Sequence, residues 1–277
     1  MTNQPAPDEL YKEVYGSGDP IVCIHGLGAS VYSWRNFIAP FSQSNKLVLI
    51  DSRGCGKSPK PFDRHYTLAE KVDEIYRVVI EENLTNLTLC GNSLGGAIAM
   101  LVAIRLQEHE PGRLARLVLI GSAGDTRYLP PHFKFVRSVF GACALYLSPS
   151  SLGARAVLRL CYYDRKKITG ADVVAYAGPL GSPGGRNALL QTVRQCIPPN
   201  ADELLAKAKD IRVPTLIIWG REDKIIPLKV GEILHELIPN STLAIIEKCG
   251  HVPQEEKPDE TIQLIARFMA ANPIVDR

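Results

Sequence analysis

The chain has 277 residues, of which 45% are hydrophobic and 22% charged, and its formal net charge is +3. That suits one large globular domain, or a core with an insertion, and gives no reason to expect nucleic acid or an anionic membrane as a partner. The polar start MTNQPAPDEL lacks the apolar stretch of a signal peptide, so a cytoplasmic location is expected. Seven cysteines occur, none spaced as CxxC, so they are read as free thiols in a reducing compartment, with no zinc site.

Taken in chain order, residues 11–15 are read as an edge strand, and residues 21–24, 46–50 and 87–90 as buried strands. Residues 116–120, 215–219 and 242–246 continue the series. Each buried run is rich in Val, Ile and Leu without polar alternation, as in strands covered on both faces of a parallel sheet. Helical patterns fall at 68–82, 94–108, 228–237 and 258–270. The alternation predicts an α/β fold, with a mostly parallel central sheet flanked by helices. Between residues 124 and 209 the alternation stops. Apolar helical pieces at 135–147, 152–162, 171–177 and 188–196 stand there instead, with residues 178–185 read as a flexible joint. Residues 1–124 and 210–277 are therefore expected to form the core, and 125–209 an inserted helical cap. The stretch 135–147 is apolar but too short to span a bilayer.

The segment Gly91-Asn92-Ser93-Leu94-Gly95 joins a predicted strand to a predicted helix. A serine at such a turn adopts a strained backbone, and glycines two residues to either side remove the Cβ atoms that would clash. Serine is a poor nucleophile at neutral pH and needs a base oriented by a carboxylate. Both follow in chain order, each on a loop just past a strand: Asp223 in the stretch 220–227, and His251 in 249–253. Glu222 and Asp125 are rival acids. His65, His109, His132 and His235 are read as surface residues. Acyl transfer also needs N–H donors for the developing oxyanion. The backbone of Leu27, in Ile24-His25-Gly26-Leu27-Gly28, and that of Leu94 are the natural pair, with His25 as a scaffold for the loop. The stretch 51–58 ends in Gly56-Lys57-Ser58, but Asp51 stands where a phosphate-binding loop needs its first glycine.

Together, HGLG at 25–28, DSRGCGKS at 51–58, GNSLGG at 91–96, GREDKIIP at 220–227 and GHVPQEEKP at 250–258 resemble the α/β-hydrolase fold family. The resemblance implies a hydrolase with Ser93, Asp223 and His251 as its triad. It implies a small-molecule ester or related acyl substrate, and no cofactor or metal. The protein is expected as a monomer or homodimer with no nucleic-acid or membrane partner. Ser93 argues against the family's aspartate-nucleophile members. The Asn92-Ser93 pair resembles the carbon–carbon bond hydrolases of meta-cleavage products. Those enzymes usually have a glycine-richer oxyanion loop, and tryptophan where this chain has Val252. The two departures favour a carboxylesterase, with carbon–carbon hydrolysis and a ligand receptor of hydrolase fold as alternatives, and peroxide- or oxygen-dependent chemistry as an outside one. Arg186 and Arg194 are candidates for binding a substrate carboxylate, although a solvated helix face is the preferred reading of each.

Overall fold

In the computed structural model, which describes residues 9–129 and 131–274, seven strands form one sheet in the order β1-β3-β2-β4-β5-β6-β7. The strands are β1 Lys12–Tyr15, β2 Asp19–Ile24, β3 Asn45–Ile50, β4 Leu87–Asn92, β5 Leu114–Ile120, β6 Thr215–Gly220 and β7 Ser241–Ile246. β1 pairs antiparallel with β3 at one edge, and the other pairings are parallel.

The helices are α1 Ile38–Phe41, α2 Leu68–Glu81, α3 Leu94–His109, α4 Pro131–Arg137, α5 Val139–Leu147, α6 Ser150–Cys161, α7 Gly170–Gly181, α8 Gly185–Gln195, α9 Ala201–Ala206, α10 Leu228–Leu237, α11 Pro253–Glu256 and α12 Pro258–Ala271. Successive strand residues point to opposite faces, and both faces here are covered. Val22, Ile24, Val48 and Ile50 join the cluster containing Ile75 of α2, Ile98 of α3 and Leu234 of α10. Their neighbours Ile21, Cys23, Leu47 and Leu49 join Trp34, Phe37 and Phe41 with Ile265 and Phe268 of α12. Two-sided burial is why the strands read as unbroken apolar runs.

Helices α4–α9 lie between β5 and β6 and form the helical insert. The expected single helix at 135–147 is two, because Ser138 ends the first and caps the second: its Oγ accepts from Gly141 N–H at 3.1 Å. The expected joint at 178–185 is corrected too. α7 runs through Pro179 to Gly181, and only Ser182–Gly184 separates it from α8. A proline so near a helix end removes one backbone bond and leaves the preceding turns intact. The stretch 51–58 folds round the Asp51 carboxylate, which accepts from Val31 N–H at 2.7 Å and Lys57 N–H at 2.6 Å. Gly56, at φ +47°, closes that loop; a Cβ there would overlap the carboxylate.

Candidate active site

Ser93 joins β4 to α3 with φ +56° and ψ −120°, a conformation costing on the order of 1–3 kcal/mol for a residue with a side chain. The surroundings hold it there. Ser93 N–H donates to Ile120 O at 3.0 Å, and Ser93 O accepts from Gly96 and Ala123 N–H at 2.9 Å each. The flanking glycines are sterically required: a Cβ on Gly91 would sit 2.2 Å from Gly95 O, and one on Gly95 2.2 Å from Ile24 O. Among the described residues, Ser93 Oγ forms no hydrogen bond, to His251 or otherwise, and it faces a cavity that His251 also lines. Such bonds are often absent from an unliganded site and form when substrate binds.

His251 is buried, and its Nδ1 lies 2.7 Å from Asp223 Oδ2. The other carboxylate oxygen, Oδ1, accepts from Ile225 and Ile226 N–H at 2.8 and 2.9 Å. Trp219 Nε1 donates to Ile226 O at 3.0 Å and fixes the end of that loop. The two rival acids are engaged elsewhere. Glu222 accepts from Cys249 N–H at 3.0 Å, and Asp125 is paired with Arg127.

Leu27 and Leu94 line the same cavity. Leu94 N–H belongs to the first turn of α3, where helical N–H groups have no intrahelical partner. Among the described residues, neither N–H donates to another group. Gly26 lets this loop approach the elbow, since a Cβ on it would lie 3.1 Å from Ser93 Cβ. Gly28, at φ +70°, completes the turn closed by Ala29 N–H to Gly26 O at 3.2 Å. His25 lies beneath the loop: its Nε2 accepts from Ser52 N–H at 3.1 Å and its Nδ1 therefore donates to Gly26 O at 2.7 Å. Burial holds its pKa below the ordinary value.

Asn92 points away from the cavity. Its Nδ2 donates to Ile120 O at 2.9 Å and to His251 O at 3.2 Å, joining the serine elbow to the histidine loop. Arg186 does not line the cavity; it is half-buried, and its guanidinium donates to Tyr146 O and Ser148 O at the end of α5. Arg194 is exposed.

Several contributors carry no catalytic signature in the sequence. His251 N–H donates to Cys161 O of α6 at 2.6 Å. The Glu256 carboxylate accepts from Gly250 N–H at 2.7 Å, Tyr163 N–H at 3.1 Å and Asp164 N–H at 2.7 Å, tying the insert to the histidine loop. Glu255 accepts from Tyr176 O–H of α7 at 2.5 Å and from Arg35 at 2.7 Å, and Arg35 also meets Asp172 at 2.8 Å. Burial pushes the Glu255 carboxyl above its ordinary value despite Arg35. Burial acts in the same direction on Asp172, but hydrogen bonds from Thr169 and Tyr32 and the charge of Arg35 outweigh it, so its pKa is lowered. The one sequence clue is the pair of acids directly behind Gly250-His251, in a segment otherwise set for burial.

The cavity has a volume of about 300 Å³. It is lined by Ser93, His251 and Leu94, by further residues of α3, and by Val136, Val157, Leu160 and Leu205 of the insert. Among the described residues, no arginine or lysine lines it. The described residues also contain no group of three or more His, Cys, Asp or Glu placed to hold a metal ion, and no helix long and apolar enough to cross a membrane.

A family model described as alpha/beta hydrolase fold matches residues 19–258. The 2-hydroxy-6-oxo-2,4-heptadienoate hydrolase of Pseudomonas putida is 30% identical over 262 residues, covering 92% of this chain and 91% of that one. A 2-hydroxymuconate semialdehyde hydrolase of Pseudomonas putida is 31% identical over 264 residues, covering 92% and 88%. Among solved structures, a meta-cleavage product hydrolase from Pseudomonas fluorescens IP01 matches with a TM-score of 0.80 at 26% identity, covering 95% of each chain.

Proposed function

The chain belongs to the α/β-hydrolase fold family, and on that premise we propose that it is a serine hydrolase cleaving the carbon–carbon bond beside a ketone carbonyl, in a conjugated diketo acid of the meta-cleavage type. One geometric observation carries the reading of the chemistry: Ser93, His251, Leu27 and Leu94 line one apolar cavity, with Asp223 bonded to the histidine. The choice of bond is supported by the full-length relatives, which act on such compounds by name. These outweigh the departures at the oxyanion loop and Val252.

In this mechanism His251 Nε2 takes the Ser93 proton as Oγ bonds to the carbonyl carbon. The oxyanion is held by Leu27 and Leu94 N–H. Collapse breaks the carbon–carbon bond, and its electron pair passes into the conjugated system of the departing fragment, which takes its proton from His251. Water, deprotonated by the same histidine, then releases the acid from Ser93. Asp223 keeps the His251 proton on Nδ1 and stabilises the charged ring. Residues 125–209 act as the cap that closes the site from water.

A second reading, hydrolysis of an apolar ester, is supported by the absence of arginine and lysine from the described cavity lining, since the relatives' named substrates are carboxylates. Loss of dienoate absorbance and release of p-nitrophenol from a short-chain ester separate the two readings. Dienoate turnover that Ser93→Ala abolishes is the expected result. Ester turnover alone assigns the second reading. Neither activity, with no fluorophosphonate adduct on Ser93, refutes both and favours the receptor alternative.

A further inference from the structure

α5, Val139–Leu147, reads VFGACALYL and has no charged residue. A helix with that composition is ordinarily buried. Here only Gly141 is: Val139, Phe140 and Leu147 are 72%, 80% and 85% exposed. Large contiguous apolar exposure marks an interaction surface. Both ends of the helix are closed by the protein itself, through Ser138 at the start and Arg186 on the carbonyls of Tyr146 and Ser148 at the end. A helix entering a medium without water needs its terminal backbone groups satisfied in this way.

Charge identifies the partner. From residue 131 to 195 the sequence carries nine Lys and Arg against two Asp, a balance of +7, so the rest of the chain is at −4. The whole-chain value of +3 conceals this division. Lys134 and Arg137 on α4, and Arg155 and Arg159 on α6, are exposed on either side of α5 in sequence. We propose that this outer face of the insert docks on an anionic lipid surface, with α5 lying in the interface and the basic residues on the headgroups. At nine residues α5 is about 13 Å long, far short of a span, so the element lies on the membrane. Two copies meeting through the face would set basic residues against basic residues.

Two further exposed apolar residues of the insert reach the candidate active site. Val157 and Leu160 of α6 are 49% and 37% exposed, and both also line the cavity above Ser93. An apolar substrate that reaches Val157 and Leu160 from the lipid side enters the apolar cavity that Ser93 lines, whichever bond is cleaved.

The test is co-sedimentation of the full chain with phosphatidylcholine vesicles, with and without phosphatidylglycerol. We expect roughly tenfold or greater preference for the anionic vesicles, falling as salt rises. The pair Phe140→Glu and Leu147→Glu is expected to abolish binding. Arg155→Glu with Arg159→Glu is expected to erase the preference for anionic lipid. Circular dichroism and turnover of a water-dissolved substrate should be unchanged in both variants. Equal binding to both vesicle types, or binding that survives both variants, overturns the proposal. So does a dimer in sedimentation velocity that Phe140→Glu splits, because the face would then belong to a second copy.

Discussion

Asp223→Asn is the sharpest test of the proposed triad, because the loop decides which way the amide must sit. Asp223 Oδ1 accepts two backbone N–H bonds, from Ile225 and Ile226, and Oδ2 faces His251 Nδ1. An asparagine must keep its carbonyl oxygen on the Oδ1 side. The reverse orientation sets an NH₂ group against two N–H donors and leaves both unpaired, at about 1–3 kcal/mol each. The NH₂ therefore faces His251, Nδ1 becomes an acceptor, and the ring proton moves to Nε2. That is the atom that must receive the Ser93 proton, so the base is lost with the fold intact. A fall of about 10⁴ in kcat is expected, roughly 5.4 kcal/mol of transition-state stabilisation. Steady-state kinetics on the dienoate or ester substrate measures it, with circular dichroism as the control for folding. Glu222→Gln and Asp125→Asn should stay within about threefold of wild type. An Asp223→Asn enzyme that keeps more than about a tenth of its kcat refutes the reasoning, and a large loss in Asp125→Asn would assign the acid there.

Glu256→Ala strips three backbone N–H groups of their acceptor and should cost about 3–5 kcal/mol of stability in denaturant titration, with kcat falling more than KM changes; an unchanged midpoint and rate would count against its positioning role. Gly121 has φ +49°, and a Cβ there would lie 3.3 Å from His251 Nδ1 and 3.5 Å from Asp223 Oδ2. Gly121→Ala should lower stability by about 1 kcal/mol and reduce kcat, whereas wild-type kinetics would show that the triad has slack. Glu255 has a folded-state pKa above its ordinary 4.5. Its contribution is thus fully present below 4.5 and is lost as pH rises through the raised value. Wild type should gain melting temperature over Glu255→Gln as pH falls through that window, and a constant or opposite difference would contradict the direction of the shift.

How much of this was legible in the sequence depended on whether the cause was local. β2, β3, β4, β5 and β6 announce themselves because burial on both faces removes polar alternation, whereas β7, a half-buried edge strand, shows only its apolar composition. The serine elbow announces itself because its strain demands Gly91 and Gly95. The choice among Asp223, Glu222 and Asp125 was not decidable from composition, because the three differ only in where their loops turn. The break at Ser138 was hidden because a capping serine inside an apolar run looks like an ordinary helical residue. The Arg35 network was invisible for a different reason: its partners lie 137 and 220 residues away. Whole-chain charge likewise averaged away the basic insert.

The bonds between the insert and the histidine loop have a mechanical consequence. His251 N–H rests on Cys161 O, Glu256 grips Tyr163 and Asp164 N–H, and Gly250 lacks a Cβ where one would overlap Cys161 O. On the insert's side these three are made by the main chain, and Tyr176 and Asp172 of α7 add side-chain bonds to Glu255 and Arg35. The end of α6 is therefore a fixed point, and any displacement of the insert there would shift His251 with it. The backbone bonds are backed by an apolar cluster of Leu158, Tyr162 and Val173 against Val252. An insert taken from another protein should hold the histidine loop if it delivers one carbonyl and two N–H groups to this spot and supplies partners for Glu255, Arg35 and Val252.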